Sequence, residues 1–305
     1  MVIAIVGPTA VGKTALALKL AKELDGEIIS CDSMQIYRHM DIGTAKPTKE
    51  EMAEIKHHLI DIKNPDEPFS CADYAILAKE AINDIISRGK TPIFCGGTGL
   101  YLDSVIEIES FSSGVKDDEY RAELEALARR EGNEALHKKL ADVDEISASE
   151  IHPNNVKRVI RALEIYKCTG KPKSLWDKES KSAEPPYNAT VFFLTCKDRD
   201  LLVQRIEKRV DIMLEQGLLD EARYLFENGY LNKDYTSYSA IGYKELEPYL
   251  RGEALLDECV ERLKISTRQY AKRQITWFGR KKNYNKIYVD EQDAYEAAMA
   301  ILRKK

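Results

Sequence analysis

The sequence predicts an α/β fold: a P-loop NTPase-like parallel sheet flanked by helices, with an all-helical insertion domain. Three observations carry this. An apolar run, Val2 to Val6, ends in Gly7-Pro8-Thr9-Ala10-Val11-Gly12-Lys13-Thr14 and passes straight into a helical pattern from Ala15 to Ala21. Strand, G-x-x-x-x-G-K-T and helix in that order form the phosphate-binding P-loop in the context its mechanism requires. Short apolar runs then alternate with helical stretches, and a β-rich run returns at Tyr187 to Thr195; such alternation builds a parallel sheet with right-handed crossovers. Between these parts, Gly114 to Pro186 reads as helix with a polar, proline-ended close.

In the P-loop, Gly7 and Gly12 permit angles and approaches that a Cβ would obstruct, so successive N–H groups can turn inward on an anion. Lys13 adds a point charge and Thr14 a hydroxyl suited to a magnesium ion. Which phosphate compound the loop holds is left to the rest of the chain. Glu27 to Ser30 reads as a second strand, ending in Cys31-Asp32-Ser33-Met34-Gln35. Ligands of open parallel sheets sit beyond the carboxyl ends of strands, which would bring Asp32 near the P-loop; an Asx turn or helix N-cap is its local alternative. The loop Asp41-Ile42-Gly43-Thr44-Ala45-Lys46-Pro47 follows, and His58 to Ile62 suggests a further short strand. Ser70 and Asp73 form a capping box for an apolar pattern that Gly89 stops. Thr91 to Cys95 is the next buried strand, and it ends in Gly96-Gly97-Thr98-Gly99-Leu100-Tyr101. P-loop NTPases carry a magnesium-binding Asp on a companion strand. Here that place holds glycines and Thr98.

The insertion divides into helices from Asp117 to Glu131, Asn133 to Leu140 and Asn154 to Cys168, the last closed by Gly170 and Pro172, with Lys178 to Pro186 as a linker. This sets domains at 1–113 with 187–305, and 114–186. The last third is helical again, with Asp198 as N-cap of a helix from Leu201 to Gln216, and it is interrupted at Ser239-Ala240-Ile241-Gly242-Tyr243-Lys244-Glu245. From Arg262 to Lys282 there are eight basic residues and no acidic one, with Tyr270, Trp277 and Phe278 among them. In a chain of net charge −5, this is either an electrostatic footprint for nucleic acid or a solvated face with its aromatics in the core. Lys157, Arg158 and Arg161 make a second, smaller cluster.

The 305 residues, 44% hydrophobic and 32% charged, describe an ordinary globular protein of roughly two domains. No run approaches the ~20 apolar residues of a membrane span. Met1 leads into the P-loop strand rather than into a signal peptide, so a cytoplasmic location without membrane contact is expected. The six cysteines contain no C-x-x-C pair and the five histidines no H-E-x-x-H. The cysteines read as small buried hydrophobes rather than a metal or disulfide framework. Nothing requires a dimer, and a monomer is expected.

An anion cradle, a lone carboxylate at a neighbouring strand end and a Gly-Gly-Thr-Gly turn suit a reaction whose leaving group is diphosphate. Seven segments, GPTAVGKT from Gly7, SCDSMQIY from Ser30, DIGTAKP from Asp41, GGTGLY from Gly96, RALEIYKCTGKP from Arg161, AIGYKE from Ala240 and TRQYAKRQITWF from Thr267, together resemble the tRNA dimethylallyltransferases over nearly the whole chain. The resemblance implies transfer of a dimethylallyl group from dimethylallyl diphosphate to N6 of adenosine 37, in the anticodon stem-loop of tRNAs reading codons that begin with U, with Mg2+ as cofactor.

By the same resemblance Asp32 is the general base. Adenine N6 becomes strongly acidic as its new bond forms, so a carboxylate of ordinary pKa, ~3.9, can accept the proton. Thr98 matches the residue that hydrogen-bonds the bridging oxygen, where charge develops. Lys13, the Gly7 to Thr14 loop and a magnesium ion held partly by Thr14 match the diphosphate site. Either Arg205 or Arg209 matches its arginine, with Arg209 favoured and the choice open. Ser33, Met34 and Gln35 match the segment that reads the base, together with Asp32 and Thr98. Arg121, the run Lys157-Arg158-Val159-Ile160-Arg161, and Arg268, Lys272 and Arg273 match tRNA contacts. The family often has Gln-Arg where this chain has Lys157-Arg158. Three other readings remain: a prenyltransferase acting on free adenosine monophosphate, a P-loop small-molecule kinase, and an RNA-binding module with a vestigial P-loop.

Overall fold

The computed structural model describes residues 1–107, 117–182 and 185–304. Six strands, β1 (Val2–Val6), β2 (Gly26–Cys31), β3 (His57–His58), β4 (Thr91–Gly96), β5 (Ala189–Thr195) and β6 (Asn285–Tyr288), form one sheet in the order β3-β2-β4-β1-β5-β6. Every pairing is parallel. Strands buried on both faces should be apolar throughout rather than alternating, and β1 is buried at every position. Ile3, Ile5, Ile28, Ile93, Phe192 and Leu194 pack in one core with Leu16, Ala17 and Leu20, each large side chain contributing roughly 1.5–3 kcal/mol.

The chain divides into two compact units, Met1–Val105 with Tyr187–Lys305, and Ile106–Pro186. The expected boundary at Gly114 lies outside the described residues. In the first unit the helices are α1 (Lys13–Glu23), α2 (Lys49–Glu54), α3 (Cys71–Ser87) and α4 (Gly99–Ile106), then α10 (Arg199–Glu215), α11 (Leu218–Glu227), α12 (Tyr243–Leu250), α13 (Leu256–Gly279) and α14 (Ala294–Leu302). The second unit holds α5 (Asp118–Glu131), α6 (Asn133–Val143), α7 (Glu145–Glu150), α8 (Val156–Thr169) and α9 (Lys173–Ser182). Its core is Leu124, Leu136, Leu140, Ile151, Val159, Ile160 and Leu163.

The expected caps form: Ser70 and Asp73 bond reciprocally at α3, Asp198 accepts the first-turn amides of α10, and Gly170 closes α8 in the left-handed region. Three expectations differ. The strand expected over His58–Ile62 is only His57–His58, because Leu59 and Asp61 take positive φ of 62° and 55° and turn the chain. The stretch expected as a linker from Lys178 is helical through Ser182, supported by the ion pairs Lys173–Asp177 and Lys171–Glu179. Strand β6 had no sequence signal: Asn-Lys-Ile-Tyr buries only Ile287 fully and is held by pairing on β5.

Candidate active site

Strand order alone brings three loops together. β4 lies between β2 and β1, so the loops leaving their carboxyl ends, Cys31–Gln35, Gly96–Gly99 and the P-loop, emerge side by side. The Thr98 N–H donates to the Cys31 carbonyl at 3.0 Å, and the Ser33 N–H donates to Thr98 Oγ1 at 3.0 Å. Asp32 is thereby fixed beside Thr98. Its Oδ1 accepts the Met34 N–H at 2.9 Å, so the Asx turn considered above is present and orients the carboxylate.

These loops open on a cavity of about 310 Å³ lined by Thr9, Lys13, Thr14, Asp32, Ser33, Met34, Gln35 and Arg209. Asp32 is the one carboxylate among the described residues lining it. Burial raises the Asp32 carboxyl above its ordinary value, against the pull of its backbone hydrogen bonds and of Lys13. It is a stronger base than the ordinary carboxylate expected from sequence. Lys13 donates to the Pro8 carbonyl at 2.8 Å; burial of its ammonium, with repulsion from Arg209 adding to it, brings it down to about 8. Arg209 donates to Thr9 Oγ1 at 3.3 Å and is itself lowered by burial. Two half-buried cations lining one cavity are relieved by an anion between them. The amides at the start of α1 have no side-chain cap, as an anion-binding helix start requires.

Position separates the two arginines of α10. Arg205, one helical turn earlier on α10, does not line the cavity; its charge acts on Cys196 and Asp290 instead. Of the basic residues on α13, Arg273 lines the cavity and lies 5.7 Å from the Tyr270 ring centroid. Arg268 pairs with Glu207, Lys264 with Asp211 and Lys281 with Asp103, whereas Lys272 is exposed. Part of that basic run is therefore spent on internal ion pairs. Trp277 is half-buried, its Nε1 donating to Asp103 at 3.2 Å, and Phe278 is in the core, packed on Phe193.

In the helical unit Lys157 and Arg158 are exposed, whereas Val159 and Ile160 are buried in its core. Arg121 and Arg161 both bond the fully buried Glu164, at 2.8 and 2.7 Å.

Two further candidates lie within the Thr267 to Phe278 segment, and neither had a role at the site from sequence. Gln274 of α13 accepts the Thr9 N–H through Oε1 at 2.8 Å and donates through Nε2 to the Gly97 carbonyl at 3.1 Å, tying the P-loop to the Gly-Gly-Thr turn. A Cβ on Gly97 would stand 1.9 Å from that Nε2, so the glycine makes room for the bridge. Tyr270, four residues earlier on the same face, lines the cavity, and burial, with the charge of Asp32 adding to it, pushes its phenol up. It is a neutral phenol. Cys95 also lines the cavity; burial, against Lys13, holds its thiol up at about 11. All six cysteines are free.

A parallel α/β core whose glycine-rich loop shares one cavity with a lone carboxylate and the end of the Gly-Gly-Thr strand is the P-loop-like kind of fold that acts on phosphate compounds. The family model described as IPP transferase matches residues 35–282, and the chain belongs to that family. It is 51% identical to the tRNA dimethylallyltransferase of Acetivibrio thermocellus over 99% of this chain and 96% of that protein. It is 52% identical to that of Geobacillus kaustophilus, over 90% and 86%. Among solved structures, the tRNA isopentenylpyrophosphate transferase of Bacillus halodurans matches with TM-score 0.72 and 48% identity, over 99% of this chain and 94% of that one. A eukaryotic dimethylallyltransferase acting on tRNA matches with TM-score 0.85 and 33% identity, over 98% and 77%. The resemblance read from seven segments agrees with these matches.

Proposed function

We propose that this chain transfers a dimethylallyl group from dimethylallyl diphosphate to N6 of adenosine 37 in tRNAs reading codons that begin with U. One observation carries this reading: the carboxylate of Asp32 lines one cavity with the half-buried cations Lys13 and Arg209. The cations and P-loop amides bind the diphosphate and stabilise the charge that develops on it as the allylic C–O bond breaks. N6 attacks the freed carbon, its proton passes to Asp32, and diphosphate leaves. Thr98 donates to the bridging oxygen. Ser33, Met34 and Gln35 face the acceptor base, which must be unstacked from its loop at a cost of a few kcal/mol.

The Thr14 hydroxyl and the oxygens of the ligand form the hard donor set that Mg2+ prefers, and Thr14 lines the cavity. The ion would supply charge neutralisation on the leaving diphosphate. Exposed Lys157 and Arg158 support an RNA acceptor over adenosine monophosphate, as do Lys272 and Arg273 on α13. The anticodon stem-loop is the acceptor in this reading. None of the helices, among the described residues, is long and apolar enough to cross a membrane; in this reading the protein is a cytoplasmic monomer.

The test is incubation with Mg2+, labelled dimethylallyl diphosphate and either unmodified tRNA or adenosine monophosphate. Label is expected on tRNA only. Label on the mononucleotide, or on neither while ATP is consumed, refutes the reading in favour of the free-nucleotide enzyme or a kinase.

A further inference from the structure

Two motifs, Asp41 to Pro47 and Ala240 to Glu245, have no task in the chemistry above, yet both line the same cavity through Gly43, Thr44, Ala45, Pro47, Ala240, Ile241, Gly242 and Lys244. They meet on one carboxylate. Glu221, in the first turn of α11, accepts the N–H of Asp41 at 2.9 Å, of Ile42 at 2.9 and 3.0 Å, and of Gly43 at 3.0 Å. The Tyr243 hydroxyl donates to the same carboxylate at 2.8 Å. Three successive amides converging on an anion form a nest, and here the chain fills it with its own side chain.

The fit is close. Tyr243 is 1% exposed, and a Cβ on Gly43 would stand 2.5 Å from its ring, so only glycine lets the strap lie against the tyrosine that holds Glu221. The far side of the strap carries a second set of bonds. The Gln35 carboxamide donates to the Thr44 carbonyl at 3.2 Å and to the Ala45 carbonyl at 3.1 Å, and accepts from Ser30 Oγ at 2.8 Å. Glu221 therefore fixes a strap whose carbonyls in turn fix Gln35, three residues from Asp32.

We propose that Glu221 is a positioning residue for acceptor recognition: by filling the strap's nest it holds one wall of the cavity, and through that wall the Gln35 carboxamide, in the geometry that receives the acceptor base. This rests on the function proposed above for the acceptor it names. Diphosphate binding is served by the P-loop, Lys13 and Arg209, none of which bonds the strap.

Glu221→Gln replaces one acceptor oxygen by an N–H₂ facing amide donors. Tyr243→Phe removes one donor and keeps the ring. For Glu221→Gln, hydrogen exchange at the Asp41–Gly43 amides should quicken, the KM for unmodified tRNA should rise by about tenfold or more, and the KM for dimethylallyl diphosphate should stay within about twofold. Tyr243→Phe should move in the same direction by less, and decides alone if Glu221→Gln does not fold. Unchanged exchange, an equal loss for both substrates, or a lower Tm with both KM values unmoved overturns the proposal. Failure of the wild-type protein to label tRNA overturns the function instead, and the exchange measurement still separates a held strap from a loose one.

Discussion

The cavity has two rings of backbone amides, and they serve opposite ends. In the P-loop, amides and two half-buried cations receive an anionic ligand from outside in the proposed function, and burial of its ammonium brings Lys13 down to about 8. In the strap, the amides of Asp41, Ile42 and Gly43 are closed by Glu221 at 2.9–3.0 Å. The same nest chemistry thus makes a reactive floor where the anion comes from outside and a rigid wall where it comes from the chain. Variants on the floor should alter the transfer and diphosphate binding, and variants on the wall should alter the acceptor alone.

The largest effect is expected at Asp32. Asp32→Asn keeps the shape and removes the base, so single-turnover transfer should fall by about 10²–10⁴, while titration with inorganic diphosphate shows affinity kept or improved because a negative charge beside the anion is gone. A parallel loss of diphosphate affinity would make Asp32 a ligand of the magnesium ion rather than the base.

A smaller effect is expected at Gln274. Gln274→Leu unties the Thr9 amide from the Gly97 carbonyl and should weaken diphosphate binding by about tenfold, with amide exchange in the strap unchanged. Faster exchange at Asp41–Gly43 in this variant would show that floor and wall are one unit and dissolve the distinction.

The mildest is the pH response of the floor. Lys13 binds as the protonated form, which is populated below about 8 and lost above it. The kcat/KM for dimethylallyl diphosphate should therefore fall as pH rises through about 8, and Lys13→Arg should remove that alkaline limb. Burial raises Asp32, so the acid limb should lie above the ordinary carboxylate range, because the base must be ionised to accept the N6 proton. An alkaline limb unmoved in Lys13→Arg would assign it to another group.

The strand-end residues of the floor and the strap segment of the wall were legible in the sequence, whereas the two side chains that tie them in place, Glu221 and Gln274, were not, for a physical reason. The P-loop, Asp32 and Thr98 sit at the ends of apolar strands, where a parallel sheet must bring ligands, and the P-loop geometry is encoded within eight consecutive residues. The parallel sheet followed from the same alternation. Glu221 is 179 residues from Ile42, and Gln274 is 265 residues from Thr9; no local pattern marks a glutamate or glutamine whose partners are backbone groups elsewhere in the chain. The basic run of α13 was visible as composition, but composition does not tell Arg273, which lines the cavity, from Arg268, which pairs with Glu207. Likewise Arg205 and Arg209 differ only by one turn of α10, and the packing of that helix on the P-loop separates them.

The central claim is that the P-loop holds a leaving diphosphate while adenine is the acceptor. The most direct measurement compares labelled transfer from dimethylallyl diphosphate to a substrate tRNA with transfer to the same tRNA carrying guanosine in place of adenosine 37, with released diphosphate counted in both. The account predicts label on the adenosine RNA with one diphosphate released per label, and neither label nor diphosphate with the guanosine RNA. Label persisting on the guanosine RNA, or diphosphate released without label on either, would contradict it.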